Sequence, residues 1–331
     1  MTIQWFPGHM NATRKAIAER LKTTDVVIEL LDARLPGSSA NPAIEGMTSV
    51  KPRLKILNKQ DLADPARTAE WLAHYQAQSA TGAIALDASQ TAPAQRQAII
   101  DACHRLSPNR GGLAKPMRVL ICGVPNVGKS TLINTLSLKR QAKAADEAGV
   151  TKQEQRILLA DDFYLYDTPG MLWPKIIVPE SGYRLAISGA VGRNAYDDEE
   201  VALELIAYLK AQYTEALRGR YKLAADTAQA ALCTQPDEDI LDAVGRKRGA
   251  LVSGGRVDRQ KAAEALITDF RSGALGRITL ETVNQFTKWL SDGRKAEAEL
   301  RKRREAALKA KKGTGRRADD DDAANEEEAA D

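Results

Sequence analysis

The 331-residue sequence holds only three cysteines, Cys103, Cys122 and Cys233, far apart and with no CxxC pair among them. Their scarcity excludes a disulfide-stapled scaffold and a thiolate metal ribbon, and it points to a reducing compartment. No apolar run approaches membrane-spanning length, and the opening Met-Thr-Ile-Gln-Trp5 has no signal-peptide character. A cytoplasmic protein without a membrane span is expected. The balance of charge is also small, a net +4, but it conceals a segregation of basic from acidic residues near the C-terminus. What the chain does have is a 43% apolar content, enough for real cores, and a length that suits two compact domains with tails.

The most informative stretch is Gly123-Val-Pro-Asn-Val-Gly-Lys-Ser-Thr131, which fits GxxxxGK[ST]. It lies between an apolar strand-like run, Arg118–Cys122, and a helix-like run carrying Leu132, Ile133 and Leu136. That context distinguishes a phosphate-binding loop from an ordinary glycine-rich turn. Glycines let successive N–H groups turn inward, and the following helix offers unsatisfied donors and its positive dipole end. Pro125, Asn126, Val127, Gly128, Lys129, Ser130 and Thr131 are therefore expected to hold phosphates. Lys129 would reach the β/γ-phosphates and the Ser130 hydroxyl would bind Mg²⁺.

More than a third of the chain precedes this loop, and that part carries base-recognition chemistry. A strand from Asp25 to Asp32 ends in the polar turn Asp32-Ala-Arg34, and a second, Arg53–Leu57, delivers Asn58-Lys-Gln-Asp61. A carboxylate at Asp61 can accept from both N1–H and the exocyclic amine of guanine, a pair that adenine lacks. Asn58 would contact the base or brace the neighbouring loop, and the Lys59 stem could cover the ring face. A third strand, Ala83–Leu86, ends in Asp87-Ala-Ser89, where Ala88 and Ser89 could offer backbone N–H groups to the guanine carbonyl or form an ordinary strand end. Downstream of the phosphate loop, Thr151 is placed to join Mg²⁺ and the γ-phosphate. Asp167-Thr-Pro-Gly170 fits DxxG, with Asp167 holding Mg²⁺ through water and the Gly170 N–H meeting the γ-phosphate.

Six strand candidates separated by helices or loops predict a mostly parallel α/β sheet. The motif order is base, base, phosphate loop, switch, DxxG. A GTP-binding domain cut open elsewhere, with the Ser107–Gly112 connector joining its old ends, has that order, so the chain reads as a circular permutation. Together Trp5-Phe-Pro-Gly-His9-Met10, Asp32-Ala-Arg34, Asn58-Lys-Gln-Asp61, the phosphate loop, Gly149-Val-Thr151, Asp167-Thr-Pro-Gly170, Ile187-Ser-Gly-Ala190, Asp198-Glu-Glu-Val201 and Gly276-Arg-Ile-Thr-Leu-Glu281 resemble the circularly permuted YlqF/RbgA GTPases, over about residues 3–285.

The resemblance implies a GTPase that cycles between GTP and GDP, binds rRNA on precursors of the large (50S) ribosomal subunit during late assembly, and leaves after hydrolysis. A GTP-gated RNA-binding scaffold with incidental hydrolysis is the alternative. Two departures stand out: Ala148 where the family commonly has proline, and a loose second base motif at Asp87-Ala-Ser89. The glutamine that many GTPases place after DxxG is absent; Met171 stands there and cannot hold water. The resemblance gives the water-orienting role to His9 and suggests potassium, with Asn126 as ligand, although a loop-bracing amide is the other reading of Asn126.

The domains read as a permuted GTPase domain with its N-terminal catalytic segment (1–180), a small all-α RNA-binding domain (181–290), and a tail that is basic and then acidic (291–331). Asn11 is expected to cap a first helix running to about Thr23. The later part is expected to be helical from Asp197 onward. Arg246, Lys247, Arg248, Arg256 and Arg259 are the expected RNA contacts, on the strength of the family's helical domain. A frayed helix followed by disorder is expected in the tail, and a monomer overall.

Overall fold

The computed structural model describes residues 3–90, 93–137, 155–223 and 234–327, without the side chains of His9, Gln155 and 307–327. Its centre is a six-stranded sheet in the order β3-β2-β1-β4-β6-β5, formed by β1 (Val26–Asp32), β2 (Arg53–Asn58), β3 (Thr81–Ala85), β4 (Met117–Gly123), β5 (Gln155–Ala160) and β6 (Phe163–Asp167). All neighbours are parallel except β5 and β6, which pair antiparallel at one edge.

Every residue of β1 is buried, as a central parallel strand covered on both faces must be. Its one charge inside the apolar run, Glu29, is matched in register by Lys55 of β2, and the two form a buried ion pair. The first three strands build outward from β1 in one direction and the fourth lies on its other side. The order therefore reverses between β1 and β4. In open α/β sheets that switch point opens a crevice at the carboxyl ends of the strands. Asn58, Asp87, Gly123 and Asp167 all lie at or just past those ends, so the base motifs, the phosphate loop and DxxG share one edge, as a permuted domain requires. The connector across the old termini is anchored at the opposite edge. Arg110 pairs with Asp25 at 2.9 Å, and the Gly112 N–H donates to Asp162 at 2.6 Å.

Helices α1 (His9–Leu21), α2 (Pro42–Thr48), α3 (Pro65–Gln76), α4 (Pro93–Leu106) and α5 (Lys129–Leu136) accompany the sheet. Asn41 caps α2 and Asp64 caps α3 with their side chains, each followed by proline at the first helical position. The expectation for α1 needs correction: it begins at His9 behind Gly8, with no side-chain cap, and Asn11 lies inside the first turn. The turn at Pro7 sets this start, because the Pro7 carbonyl already accepts from the Met10 N–H.

The helical part begins earlier than Asp197. Helix α6 (Pro179–Ser188) precedes α7 (Asp198–Gln212), α8 (Thr214–Tyr221), α9 (Asp237–Arg248) and α10 (Arg259–Arg271). Pro179 supplies the preset φ of a first helical residue, and Gly182 lets Ile3 lie against α6. Residues through Phe286 form one compact unit, and 287–331 form a second. The tail also differs from expectation: α11 (Val283–Glu327) is one helix that continues through the basic run into the acidic one. Its Ala, Glu, Lys and Arg content favours helix, aided by pairs such as Arg301–Glu305. Among the described residues, no helix is long and apolar enough to cross a membrane.

Candidate nucleotide-binding site

The phosphate loop leaves β4 at Gly123 and enters α5 at Lys129. Gly128 adopts φ +96°, a left-handed conformation that turns the backbone into the helix. A Cβ there would lie 2.3 Å from the Asn58 amide nitrogen, so this glycine also makes room for the base motif. Lys129 is buried and ion-paired with Asp167, the first residue of DxxG. Burial pushes the Asp167 carboxyl above the usual carboxylate range, against the pull of the Lys129 ammonium and the Thr168 N–H. Its second oxygen, Oδ2, is buried without a hydrogen-bond partner. A buried carboxylate oxygen beside the phosphate-loop lysine with no hydrogen-bond donor of its own fits a site for a hydrated cation. Ser130, half-buried at the start of α5, lies one residue beyond Lys129.

Asn58 joins the two halves of the site. Its amide nitrogen donates to the Val127 carbonyl of the phosphate loop at 2.8 Å, and its amide oxygen accepts from the Ala88 N–H at 2.9 Å. Of the two roles open to it in the sequence, the structure shows the brace. Lys59, at φ +62°, sends its ammonium to the Asn126 carbonyl and to Asp32, both at 2.9 Å. Asp61 is exposed at the rim. In this conformation the Ala88 N–H donates to Asn58, and the Ser89 N–H donates to Asp87 at 2.9 Å. Thr135 of α5 adds a hydrogen bond to the Ala88 carbonyl at 2.8 Å. The Asn126 amide nitrogen donates to the Gly189 carbonyl at 2.9 Å, which is the bracing role, and its side-chain oxygen is the atom that could serve a cation.

Met171 is 1% exposed, packed into the core, with its N–H on the Gly123 carbonyl and its carbonyl receiving the Asn41 amide. The N-terminal segment folds over this region. Gln4 exchanges two 2.9 Å hydrogen bonds with Ile176, and the Leu172 N–H meets the sulfur of the fully buried Met10 at 3.4 Å. His9 therefore opens α1 one residue from the stretch that follows DxxG; its side chain lies outside the described set. Thr151 and Gly149 also lie outside the described residues, as does Cys233.

The expected RNA contacts divide. Arg246, Lys247, Arg248 and Arg256 are exposed and Arg259 is half-buried; Arg259 pairs with Asp242 at 2.8 Å and Arg248 with Asp269 at 3.3 Å. Each of these two pairs ties an arginine of one helix to a carboxylate of the other.

Sequence reasoning passed over Asp32 and Arg34 as a polar turn. Both are 2% exposed, and Asp32 receives two donors from the Arg34 side chain and one from Lys59. Burial acts to raise the Asp32 pKa, but Arg34 and Lys59 overcome it and hold the carboxyl far below its ordinary value. A depressed folded-state pKa contributes stability above the unfolded value and loses it as pH falls. The stability lead of the wild type over Asp32→Asn is therefore expected to be full near pH 7 and to shrink below about pH 4. Chemical denaturation at several pH values measures it.

Comparison with known proteins places this geometry. Residues 118–222 match a family described as MMR_HSR1, 50S ribosome-binding GTPase. The base motif at Asn58 lies before that match, consistent with a permuted chain. The protein named ribosome biogenesis GTPase A from Bacillus cereus is 40% identical over 307 residues, spanning 90% of this chain and 99% of that relative. The mouse protein named mitochondrial ribosome-associated GTPase 1 is 32% identical, over 84% and 90% of the two chains. Among solved structures, a GDP-bound TM YlqF is 25% identical with a TM-score of 0.58, covering 81% of this chain and 99% of its own.

Proposed function

Because the chain belongs to the ribosome biogenesis GTPase A family, we propose that it binds GTP across the β1/β4 crevice and hydrolyses it while engaged with precursors of the large ribosomal subunit. The observation that carries this reading is Asn58, whose amide ties the phosphate loop to the base loop across the permutation. The base pocket is then formed by Asp61 with the Lys59 stem, and Ala88 and Ser89 border it. The loop from Pro125 to Thr131 and the Gly170 N–H take the phosphates.

Ser130, Thr151 and Asp167 are the residues that would hold Mg²⁺, and the partnerless Asp167 oxygen supports that assignment. Mg²⁺ would neutralise charge on the β- and γ-phosphates. Lys129, paired with Asp167 here, exchanges that partner for phosphate oxygens. The Asn126 side-chain oxygen is the candidate potassium ligand, and comparing hydrolysis rates in K⁺ and Na⁺ tests it. Arg246, Lys247, Arg248, Arg256 and Arg259 supply phosphate-directed charge for rRNA. A monomer in the cytoplasm is the form proposed to do this.

With Met171 buried, the nucleophilic water falls to His9. Its neutral imidazole can orient water by a hydrogen bond without acting as a full base. His9→Ala is expected to slow ribosome-stimulated hydrolysis on the order of 100-fold, while GDP is still bound. Normal hydrolysis by the variant on its ribosomal partner would remove His9 from the reaction. The cycle itself is tested by sedimentation with ribosomal particles. Co-migration is expected with a non-hydrolysable GTP analogue and not with GDP. Co-migration indifferent to nucleotide would refute the switch, and unimpaired assembly with a hydrolysis-dead variant would favour the scaffold reading.

A further inference from the structure

Behind the crevice, charged side chains close a ring that neither the phosphate loop nor the base motif explains. Lys59 joins Asn126 of the phosphate loop to Asp32. Asp32 is gripped on its other side by Arg34, Nε to Oδ1 at 2.9 Å and Nη2 to Oδ2 at 2.8 Å. The third guanidinium nitrogen of Arg34 reaches the carbonyls of Phe270 (3.5 Å) and Arg271 (3.3 Å) at the end of α10, and the group lies 4.8 Å over the Phe270 ring. Arg271 continues the path. Its Nε donates to the Ile187 carbonyl at 2.8 Å and its Nη2 to Ala186 at 2.7 Å, in the last turn of α6. Gly189 caps that helix at φ +86°, so close beneath Arg271 that a Cβ would sit 3.3 Å from the guanidinium carbon. The Gly189 carbonyl accepts from Asn126, and the ring is complete.

We infer that Asp32, Arg34 and Arg271 are positioning residues of the nucleotide site, which hold Lys59 and Asn126 in place and tie nucleotide affinity to the seating of the α10 end. Each arginine lies at a helix C-terminus, where orphan carbonyls favour a cation. Both are well supplied with fixed partners. Arg34 is 2% exposed, so removing it leaves a buried carboxylate short of donors and lets Lys59 follow Asp32 away from Asn126. Coupling of this kind is reciprocal: bound nucleotide steadies the end of α10, and a displaced α10 loosens nucleotide. Asp32, Arg34 and Arg271 act on the nucleotide only through the Lys59 and Asn126 members of the ring. Its effect is confined to affinity and to the stiffness of the two helix ends.

The inference rests on the reading of the crevice as a guanine-nucleotide site, and its test separates the two. Full-length protein is titrated with a fluorescent GDP analogue as wild type, Arg34→Met, Lys59→Met and the double variant. No binding by the wild type would sink the nucleotide reading itself. With binding present, Arg34→Met is expected to weaken affinity at least tenfold in the wild-type background and less than twofold when Lys59 is already Met. Losses that multiply independently would overturn the relay, since general damage to the fold acts equally in both backgrounds. Arg34→Lys should recover only part of the loss, because an ammonium cannot fork onto Asp32. If Arg34→Met does not fold, Arg271→Met enters the same cycle, with the same outcomes deciding. Amide exchange gives a second readout. GDP should slow exchange at 270–273 and 187–190 in the wild type, and the slowing at 270–273 should vanish in the Arg34 variant; no slowing in the wild type refutes the coupling.

Discussion

Gly128→Ala is expected to lower GDP and GTP affinity about 1,000-fold, a loss of about 4 kcal/mol. Two independent costs meet at this position. Gly128 sits at φ +96°, where an alanine pays about 1–2 kcal/mol in backbone strain. The added methyl would also stand 2.3 Å from the Asn58 amide nitrogen, well inside contact distance. Asn58 cannot yield cheaply, because its amide holds Val127 and Ala88 at once. Either the loop moves, and the N–H groups lose their convergence on the phosphates, or Asn58 moves, and the base loop is released. Isothermal titration with GDP checks it. Asn58→Ala in the same protein should restore space but not affinity, because the brace is then gone as well. Wild-type affinity in Gly128→Ala would mean that phosphates are not held here.

The parts of the fold that the sequence made legible are those governed by local pattern. Apolar runs of strand length, bounded by turns, located all six strands to within a residue or two at their ends, and the motifs sit at strand ends because backbone donors are free only there. Asp61, Gly128, Lys129 and Asp167 could be proposed from chemistry alone, since the task proposed for each is one that few other residue types can perform. The rest depended on contacts between distant segments. A helix over Pro179–Ser188 was hidden by Pro174 and Pro179 at its approach, and its stability comes from burying Leu185, Ala186 and Ile187 against neighbours far along the chain. Asn58 could not be assigned between base and brace without knowing that Val127 and Ala88 stand on either side of it.

Charge in apolar surroundings was the signal left unused. Asp32, Arg34, Glu29 and Lys55 all lie in or beside strands that read as hydrophobic, and each is buried against an opposite charge. A buried charge without a partner costs several kcal/mol, so its presence in such a run predicts a partner elsewhere. The sequence shows that the partner must exist but not which residue it is. The basic residues show the same gap: Arg248 and Arg259 read as surface charge, and their pairing with Asp269 and Asp242 depended on how two helices pack.

Glu281→Ala is expected to be the most destabilising single change in the chain, by about 3–5 kcal/mol. The Glu281 side chain is fully buried, yet it lies between α10 and α11 and reaches into the turn that follows β1. One carboxylate oxygen accepts from the Gly37 N–H at 2.6 Å and the Ser38 N–H at 2.8 Å, and the other from the Ser38 hydroxyl. Alanine leaves the Gly37 and Ser38 N–H groups buried and unpaired, with the Ser38 hydroxyl keeping only its 3.0 Å contact with Ser181, and no water route is open to a residue with no exposure. At roughly 2–4 °C per kcal/mol for a unit of this size, the melting temperature should fall by about 10 °C. Glu281→Gln keeps an acceptor for the two N–H groups and should lose far less. The two carboxyl states give a further check. Burial pushes the Glu281 pKa up against the pull of Ser38, Gly37 and Arg184. A raised folded-state pKa means stability that grows as pH falls toward the unfolded value and is lost as pH rises. The lead of the wild type over Glu281→Gln should therefore widen between pH 7 and about pH 5. A melting temperature unchanged in Glu281→Ala would show that the turn at Gly37 and Ser38 is held by something other than this carboxylate.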